Sequence, residues 1–138
     1  MILEKESINE LILSAQKNSN FAIMAPISSD VNYPNYKLDN NKKNMIRNES
    51  SFQVKSIDGF AMLFNKKKLT EFIHDDYFDE NFFMYLENDD LCKRIVDAKE
   101  YIYVSPQSKI KHLGGKAVSS EYKNEVEFAR NWHWMWSK

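Results

Sequence analysis

The sequence predicts an α/β fold in which helices flank a mixed sheet. Segments with helical spacing of apolar residues alternate along the chain with short, continuous apolar runs that are typical of buried strands. The chain has 138 residues, of which 43% are hydrophobic and 14% aromatic, which is enough to fill one core. We therefore expect residues 1–138 to form a single domain.

The first third of the chain predicts a helix, a central strand and a loop. Over residues 7–15 the apolar positions follow helical spacing, and Ser7 with Glu10 has the reciprocal capping pattern. Residues 21–26 are continuously apolar and end in proline, which favours a strand buried on both faces. Residues 27–50 are rich in Ser, Asn, Asp and Lys, which predicts a long solvated loop.

The same alternation continues downstream. The predicted elements are a strand-like stretch over 52–64 that is broken at 58–59, a short helix over 66–72, a helix over 88–98, a strand over 101–106 that ends at proline, and an amphipathic helix over 120–138. On the helix over 88–98 we expect Leu91, Cys92, Ile95 and Val96 to face the core. The helix over 120–138 carries tryptophans, so it packs either on the protein or against a membrane interface.

Composition excludes some classes of function. A formal net charge of −1 gives no basic face for nucleic acid, so no nucleic-acid partner is expected. Cys92 is the one cysteine, which rules out an internal disulfide and fits a small buried hydrophobe. No run approaches the ~20 apolar residues of a membrane span, and the start lacks a signal-peptide pattern. We expect a cytoplasmic protein, soluble or peripheral at the inner face of the membrane.

The most informative stretch is 78–94, where carboxylates and aromatic residues crowd together just before a helix with an apolar stripe. Two interpretations are open. In the first, Asn88, Asp89 and Asp90 cap the helix and complement its dipole. In the second, at least one of Glu87, Asp89 and Asp90 serves catalysis. An ideal helix puts Glu87, Asp90 and Arg94 on one polar side, which would aim Glu87 and Asp90 into a cleft.

Together with residues 58–64 and 111–116, this stretch resembles family 2 glycosyltransferases, especially bacterial rhamnosyltransferase-like members. The match rests on three blocks in the same order, namely Asp-Gly-Phe-Ala-Met-Leu-Phe, then Phe-Asp-Glu-Asn-Phe-Phe-Met-Tyr-Leu-Glu-Asn-Asp-Asp-Leu, then Lys-His-Leu-Gly-Gly-Lys. The resemblance implies the GT-A fold. Because Met1 falls almost where the Asp-x-Asp motif of that fold should end, we expect its C-terminal, acceptor-side half.

The resemblance implies transfer of a sugar from a nucleotide-diphosphate-sugar donor to a glycan or lipid-linked acceptor, with inversion, in cell-surface polysaccharide synthesis. An acid in the central block would act as general base. Asn88 stands where relatives commonly have an acid, so Glu87 is favoured as the base, with Asp89 as the alternative. Asp90 would orient the acceptor or fix the helix.

The resemblance assigns further residues to the substrates. Asp58, Gly59 and Tyr85 would line the acceptor side, and Gly114, Gly115 and Lys116 would contact the donor diphosphate. His112 would be a ligand of Mn²⁺ or Mg²⁺ beside an upstream Asp motif that the sequence lacks, and imidazole favours Mn²⁺.

The rival hypothesis is a non-catalytic remnant of such a domain that binds a glycan or a protein. Half of a GT-A domain would leave a sheet edge unpaired, and such edges invite association with a partner or a second copy of the chain.

Overall fold

The computed structural model describes residues 2–39, 50–82 and 86–112, together with Asn124. Within these residues strands and helices intermix, which confirms the α/β class. In chain order the elements are β1 (Ile2–Leu3), α1 (Ser7–Lys17), β2 (Phe21–Ser28), β3 (Tyr36–Lys37), β4 (Phe52–Val54), β5 (Ser56–Ile57), β6 (Leu63–Phe64), α2 (Lys66–Leu69), α3 (Glu87–Asp97) and β7 (Tyr101–Lys111).

The main sheet is mixed, as the sequence predicts. Its order is β1-β7-β2-β6, and β4 also pairs with β7. The long central strands β2 and β7 run parallel, whereas the β1–β7, β4–β7 and β2–β6 pairs are antiparallel. A second, small sheet joins β3 to β5.

Both central strands continue past the prolines that were expected to end them. β2 extends through Pro26 to Ser28, and β7 extends through Pro106 to Lys111. The β2–β7 register shifts at this point, because Pro26 pairs with Ser105 and the next residue pairs with Lys109. Proline is tolerated inside a sheet at such an irregularity, where a ladder hydrogen bond is already missing.

The two long helices lie on opposite faces of β7. Ile102 and Val104 point to one face, where they join the hydrophobic core that also contains Leu91 and Ile95 of α3. Ser105 follows on the other face, since successive strand residues alternate, and its hydroxyl lies 2.6 Å from that of Ser14 on α1. α3 is thus anchored by apolar packing and α1 by hydroxyl contacts.

The helix predicted over 7–15 is confirmed, but its expected cap is wrong. The residue before the first turn is Glu6, and no side chain caps the helix. Ser7 is instead buried, and its hydroxyl donates to the carbonyl oxygen of Lys109. The face toward the sheet carries the two serines, so Ile8 and Ile12 are left 57% and 45% exposed.

Three other expectations need correction. The stretch 27–50 is not wholly a loop, because its first two residues complete β2 and 36–37 form β3; residues 40–49 lie outside the described part. The helix predicted over 66–72 is shorter. On α3, Val96 is exposed, although Leu91, Cys92 and Ile95 are buried as predicted. The helix predicted over 120–138 lies outside the described residues except for Asn124.

Candidate functional site

The site begins with the first turn of α3. The helix starts at Glu87, and the preceding Leu86 has a left-handed backbone, with φ 68° and no capping side chain. A left-handed conformation costs a non-glycine residue on the order of 1 kcal/mol and persists only where the surrounding structure imposes it.

The capping interpretation of Asn88 is wrong. Asn88 is the second residue of the helix, and its side-chain Nδ2 donates to the carbonyl oxygen of Ile57 at 2.8 Å, outside the helix. Glu87, Asp89 and Asp90 all lie in the first turn, where negative charge complements the positive end of the helix dipole.

Two of the three candidate carboxylates are already occupied by cations. The Lys37 ammonium lies 3.2 and 3.1 Å from the two oxygens of Asp89. The Nε of Arg94 donates to Asp90 at 2.9 Å, and its Nη2 donates to the carbonyl oxygen of Tyr77 at 2.6 Å. These contacts fit a structural role for Asp90, which ties α3 to the segment before it.

Glu87 differs from both neighbours. Its Oε2 is buried and has no hydrogen-bond partner among the residues that the structure describes. A buried polar atom without a partner costs about 1 to 3 kcal/mol and calls for an explanation, such as a catalytic role or a bound ligand. Of the three carboxylates, Glu87 is therefore the one with a buried oxygen that lacks a partner among the described residues.

The segment 58–60 packs directly against this turn. The backbone at Gly59 comes so close to α3 that a Cβ added there would lie 3.3 Å from the Cβ of Asn88. The amide of Asp58 donates to the carbonyl oxygen of Asn35 at 2.9 Å. The structure therefore brings Asp58 and Gly59, which the resemblance assigns to the acceptor side, next to Asn88, the residue that follows Glu87.

His112, at the end of β7, reaches the same segment. Its ring stacks on Phe60, with ring centroids 4.1 Å apart and an angle of 8° between the planes. Its Nδ1 is buried and unpartnered within the described ranges 2–39, 50–82 and 86–112. The contacts thus link three separate parts of the sequence, and within the described residues both Glu87 and His112 carry a buried polar atom without a partner.

The donor set does not by itself form a metal centre. In the described part of the chain no group of three or more His, Cys, Asp or Glu side chains could hold a metal ion. His112 offers one imidazole nitrogen, and a divalent cation needs several further ligands. Cys92 is no substitute, because burial raises the pKa of its thiol to about 11 and keeps it protonated.

A cleft of about 430 Å³ opens on the Asp90 side of the turn. Asp90 and Arg94 form one wall, and the acidic segment around Phe78 and Asp79 forms the other. Two hydrogen bonds from Asn81 hold the pKa of Asp79 below its ordinary value. The larger effect comes from the backbone amide of Asn81 and the smaller from its side chain. Glu87 does not line this cleft. Of the two carboxylates expected to point into a cleft, Asp90 therefore lines this one and Glu87 does not.

Some predicted site residues fall outside the described part of the chain, namely Tyr85, Gly114, Gly115 and Lys116. Conversely, the structure places Phe60, Lys37 and Asn35 at the site, and the sequence reasoning did not select them. The signal for Phe60 was its position directly after Gly59. Asn35 and Lys37 gave no signal, because they lie within a polar stretch that predicted only a solvated loop.

A scan against protein-family models finds no match for the chain, and no curated protein matches it. Among the described residues no helix is both long enough and apolar enough to cross a membrane.

Proposed function

We propose that the chain is the acceptor-side part of a family 2 glycosyltransferase of GT-A fold, which transfers a sugar from a nucleotide-diphosphate-sugar donor to a hydroxyl of a glycan or lipid-linked acceptor. The observation that supports this proposal is that described residues from each of the three resembling blocks are linked by contacts. These residues are far apart in sequence. The ring of His112 stacks on Phe60, and the neighbouring Gly59 packs against Asn88 in the first turn of α3.

In the proposed reaction Glu87 is the general base. Its carboxylate accepts the proton of the acceptor hydroxyl as that oxygen forms a bond to the anomeric carbon of the donor sugar. The bond from the anomeric carbon to the diphosphate oxygen breaks, and the nucleoside diphosphate leaves with the electron pair. Attack on the face opposite the leaving group inverts the anomeric centre. A general base contributes typically 10²- to 10⁴-fold to such a rate.

Mn²⁺, or Mg²⁺ in its place, would neutralise charge on the leaving diphosphate. His112 would supply one ligand through Nδ1, and the remaining ligands would come from outside the described residues. The reaction is proposed for the cytoplasm or the inner face of its membrane, a reducing setting in which the single Cys92 stays a thiol.

The test is a transfer assay on the full natural polypeptide that carries this sequence, with UDP-, dTDP- and GDP-sugars as donors and with Mn²⁺ present. We expect transfer from at least one donor, and a fall of about 10²- to 10⁴-fold for Glu87→Gln. The matched control is Lys93→Ala, which removes an exposed side chain from the same helix. Absence of transfer from every donor contradicts the proposed function, and a normal rate for Glu87→Gln contradicts its base.

A second candidate function, a protein-binding module, is supported by the exposed apolar side of α1. Ile8, Ile12 and Leu13 are all at least 45% exposed, and exposed apolar patches mark association surfaces. Sedimentation velocity over a range of concentrations tests self-association. If this candidate is right, the chain forms a dimer or larger species that the double variant Ile8→Gln, Ile12→Gln abolishes. A monomer at every concentration contradicts a homo-oligomer.

A further inference from the structure

The segment 57–59 is held between two asparagines. On one side, Asn88 of α3 donates through Nδ2 to the carbonyl oxygen of Ile57 at 2.8 Å. On the other side, the amide of Asp58 donates to the backbone carbonyl of Asn35 at 2.9 Å. Both bonds are made by the single peptide group between Ile57 and Asp58, whose carbonyl is tied to α3 and whose amide is tied to Asn35. That peptide group is therefore fixed from both sides.

Asn35 is itself rigidly mounted. It is fully buried, its Nδ2 donates to the carbonyl oxygen of Pro26 at 2.8 Å, and its Oδ1 accepts from the amide of Ser28 at 2.8 Å. Both partners belong to β2, a central strand of the main sheet. Asn35 therefore attaches one side of the segment to the main sheet. Asn88 attaches the other side to α3, the helix that carries Glu87.

The contact between the segment and Asn88 is close. Gly59 packs against the Asn88 side chain so closely that a Cβ there would lie 3.3 Å from its Cβ. The next residue, Phe60, stacks on His112 at 4.1 Å. Movement of segment 57–59 relative to α3 would thus displace both the acceptor-side residues and the ring that supports His112.

The chemistry at position 88 requires a donor. The carbonyl oxygen of Ile57 can only accept, so an amide nitrogen satisfies it, whereas a carboxylate would place negative charge against it. An aspartate at this position would face a carbonyl oxygen instead of a donor. Asparagine here is consistent with an anchoring side chain, and the basic oxygen is supplied one residue earlier by Glu87.

We propose that Asn88 is a positioning residue, which fixes Asp58, Gly59 and Phe60 beside Glu87 through its hydrogen bond to Ile57. The inference rests on the proposed function for the meaning of the site, but the hydrogen bond and its effect on neighbouring residues can be tested without any activity.

The test compares Asn88→Asp with the wild-type protein by NMR, following the amide signals of 58–60 and the ring signals of His112. At pH 7 we expect these signals to shift, while the control Asp97→Asn, an exposed acid-to-amide change on the same helix, leaves them in place. When the pH falls through about 4, the carboxyl of the variant becomes protonated and can donate to Ile57 again. The difference from wild type should then shrink.

In Asn88→Ala the same NMR signals should shift at pH 7, and they should not return toward the wild-type positions at low pH. If Asn88→Asp does not fold, Asn88→Ala tests the prediction at pH 7. Unchanged signals at 58–60 and His112 in both variants would overturn the inference. So would a shift in Asn88→Asp that persists unchanged at low pH, because that result shows general disruption of the helix.

The kinetic counterpart separates the inference from the proposed function. In an active polypeptide, Asn88→Asp should raise the acceptor KM about 10- to 100-fold at pH 7, as expected for a displaced binding segment. An unchanged acceptor KM would overturn the positioning role. Loss of the NMR effect together with normal transfer contradicts the inference alone, whereas the NMR effect in a polypeptide that transfers no sugar contradicts only the glycosyltransferase function.

Discussion

Helices α1 and α3 have the same local design and opposite attachments to the fold. Both have 11 residues, and both begin after a left-handed residue without a capping side chain, Glu6 at φ 66° and Leu86 at φ 68°. α3 buries three apolar side chains, whereas the residues that α1 buries are two serines. Helical spacing of apolar residues therefore predicts that a helix forms, but the neighbouring sheet face decides which side it buries.

The difference has consequences for function. α3 is packed into the core through Leu91, Cys92 and Ile95, and this packing holds in place the first turn, which carries the proposed base. α1 is joined to β7 through hydroxyl groups, and its apolar side is exposed. We interpret α3 as the platform of the candidate site and α1 as a surface for association.

The largest expected contrast is between matched truncations on the two helices. Ile95→Ala removes a fully buried side chain of α3 and should lower the free energy of unfolding by about 2 to 5 kcal/mol. Ile12→Ala makes the same chemical change at a 45% exposed position of α1 and should cost less than about 0.5 kcal/mol in the monomer. Urea unfolding measures both. Equal losses would contradict the assigned orientation of α1.

The second prediction concerns Cys92 on the buried side of α3. Burial raises the pKa of its thiol from 9.0 to about 11 in the folded protein. Between these values the unfolded chain releases the proton and the folded chain keeps it, so stability falls as the pH rises from about 9 to about 11. The full effect is about 2 to 3 kcal/mol.

Unfolding of the wild type and Cys92→Ala at pH 7 and at pH 10.5 or so isolates this contribution from other titrating groups. The wild type should lose more stability than the variant over this interval. Parallel losses in the two proteins would show that the thiol is not desolvated as the structure indicates.

The third prediction tests the hydroxyl attachment of α1. Ser14→Ala deletes one partner of the buried 2.6 Å contact with Ser105 and leaves the other hydroxyl without that partner. We expect a loss of about 1 to 2 kcal/mol in the free energy of unfolding. Ser29→Ala, which removes a part-buried hydroxyl bonded to the carbonyl oxygen of Ile110, is a milder comparison. No loss for Ser14→Ala would contradict the attachment.

The smallest predicted effect separates the carboxylates of the first turn of α3. Asp90→Asn breaks the ion pair with Arg94 and should cost about 0.3 to 0.5 kcal/mol. Glu87→Gln removes the charge of a carboxylate whose Oε2 has no partner in the described residues. This change should leave the free energy of unfolding unchanged or slightly raised. Thermal unfolding of the two variants measures this order. A larger loss for Glu87→Gln would assign Glu87 a structural role.

The sequence predicts most of the fold because its strongest patterns are periodic and apolar. The helix at 87–97, the central strands and the buried state of Cys92 all follow from such patterns. The strand ends could not be predicted, because whether Pro26 and Pro106 end a strand depends on a register shift between strands that are distant in sequence. Which side of α1 is exposed could not be predicted for a similar reason. It depends on Ser105 of β7, which contacts Ser14 of the helix and is distant from it in sequence.

The candidate site is predicted less completely. Glu87 and His112 come from the resemblance, and the structure adds that both carry a buried polar atom without a partner among the described residues. The sequence predicts a cap or a departure from the family pattern at Asn88, because the partner of its side chain, the carbonyl oxygen of Ile57, lies 31 residues away. Contacts of side chains with distant backbone atoms leave no periodic trace in a sequence.

The central claim is that segment 58–60, the turn at Glu87 and His112 form one ligand site. Hydrogen–deuterium exchange of the full natural polypeptide, with and without a saturating nucleotide-sugar and Mn²⁺, tests it most directly. The account predicts that exchange slows together in 58–60, 86–88 and 110–112. Protection confined to the acidic cleft at 75–80, or to only one of the three segments, would contradict it.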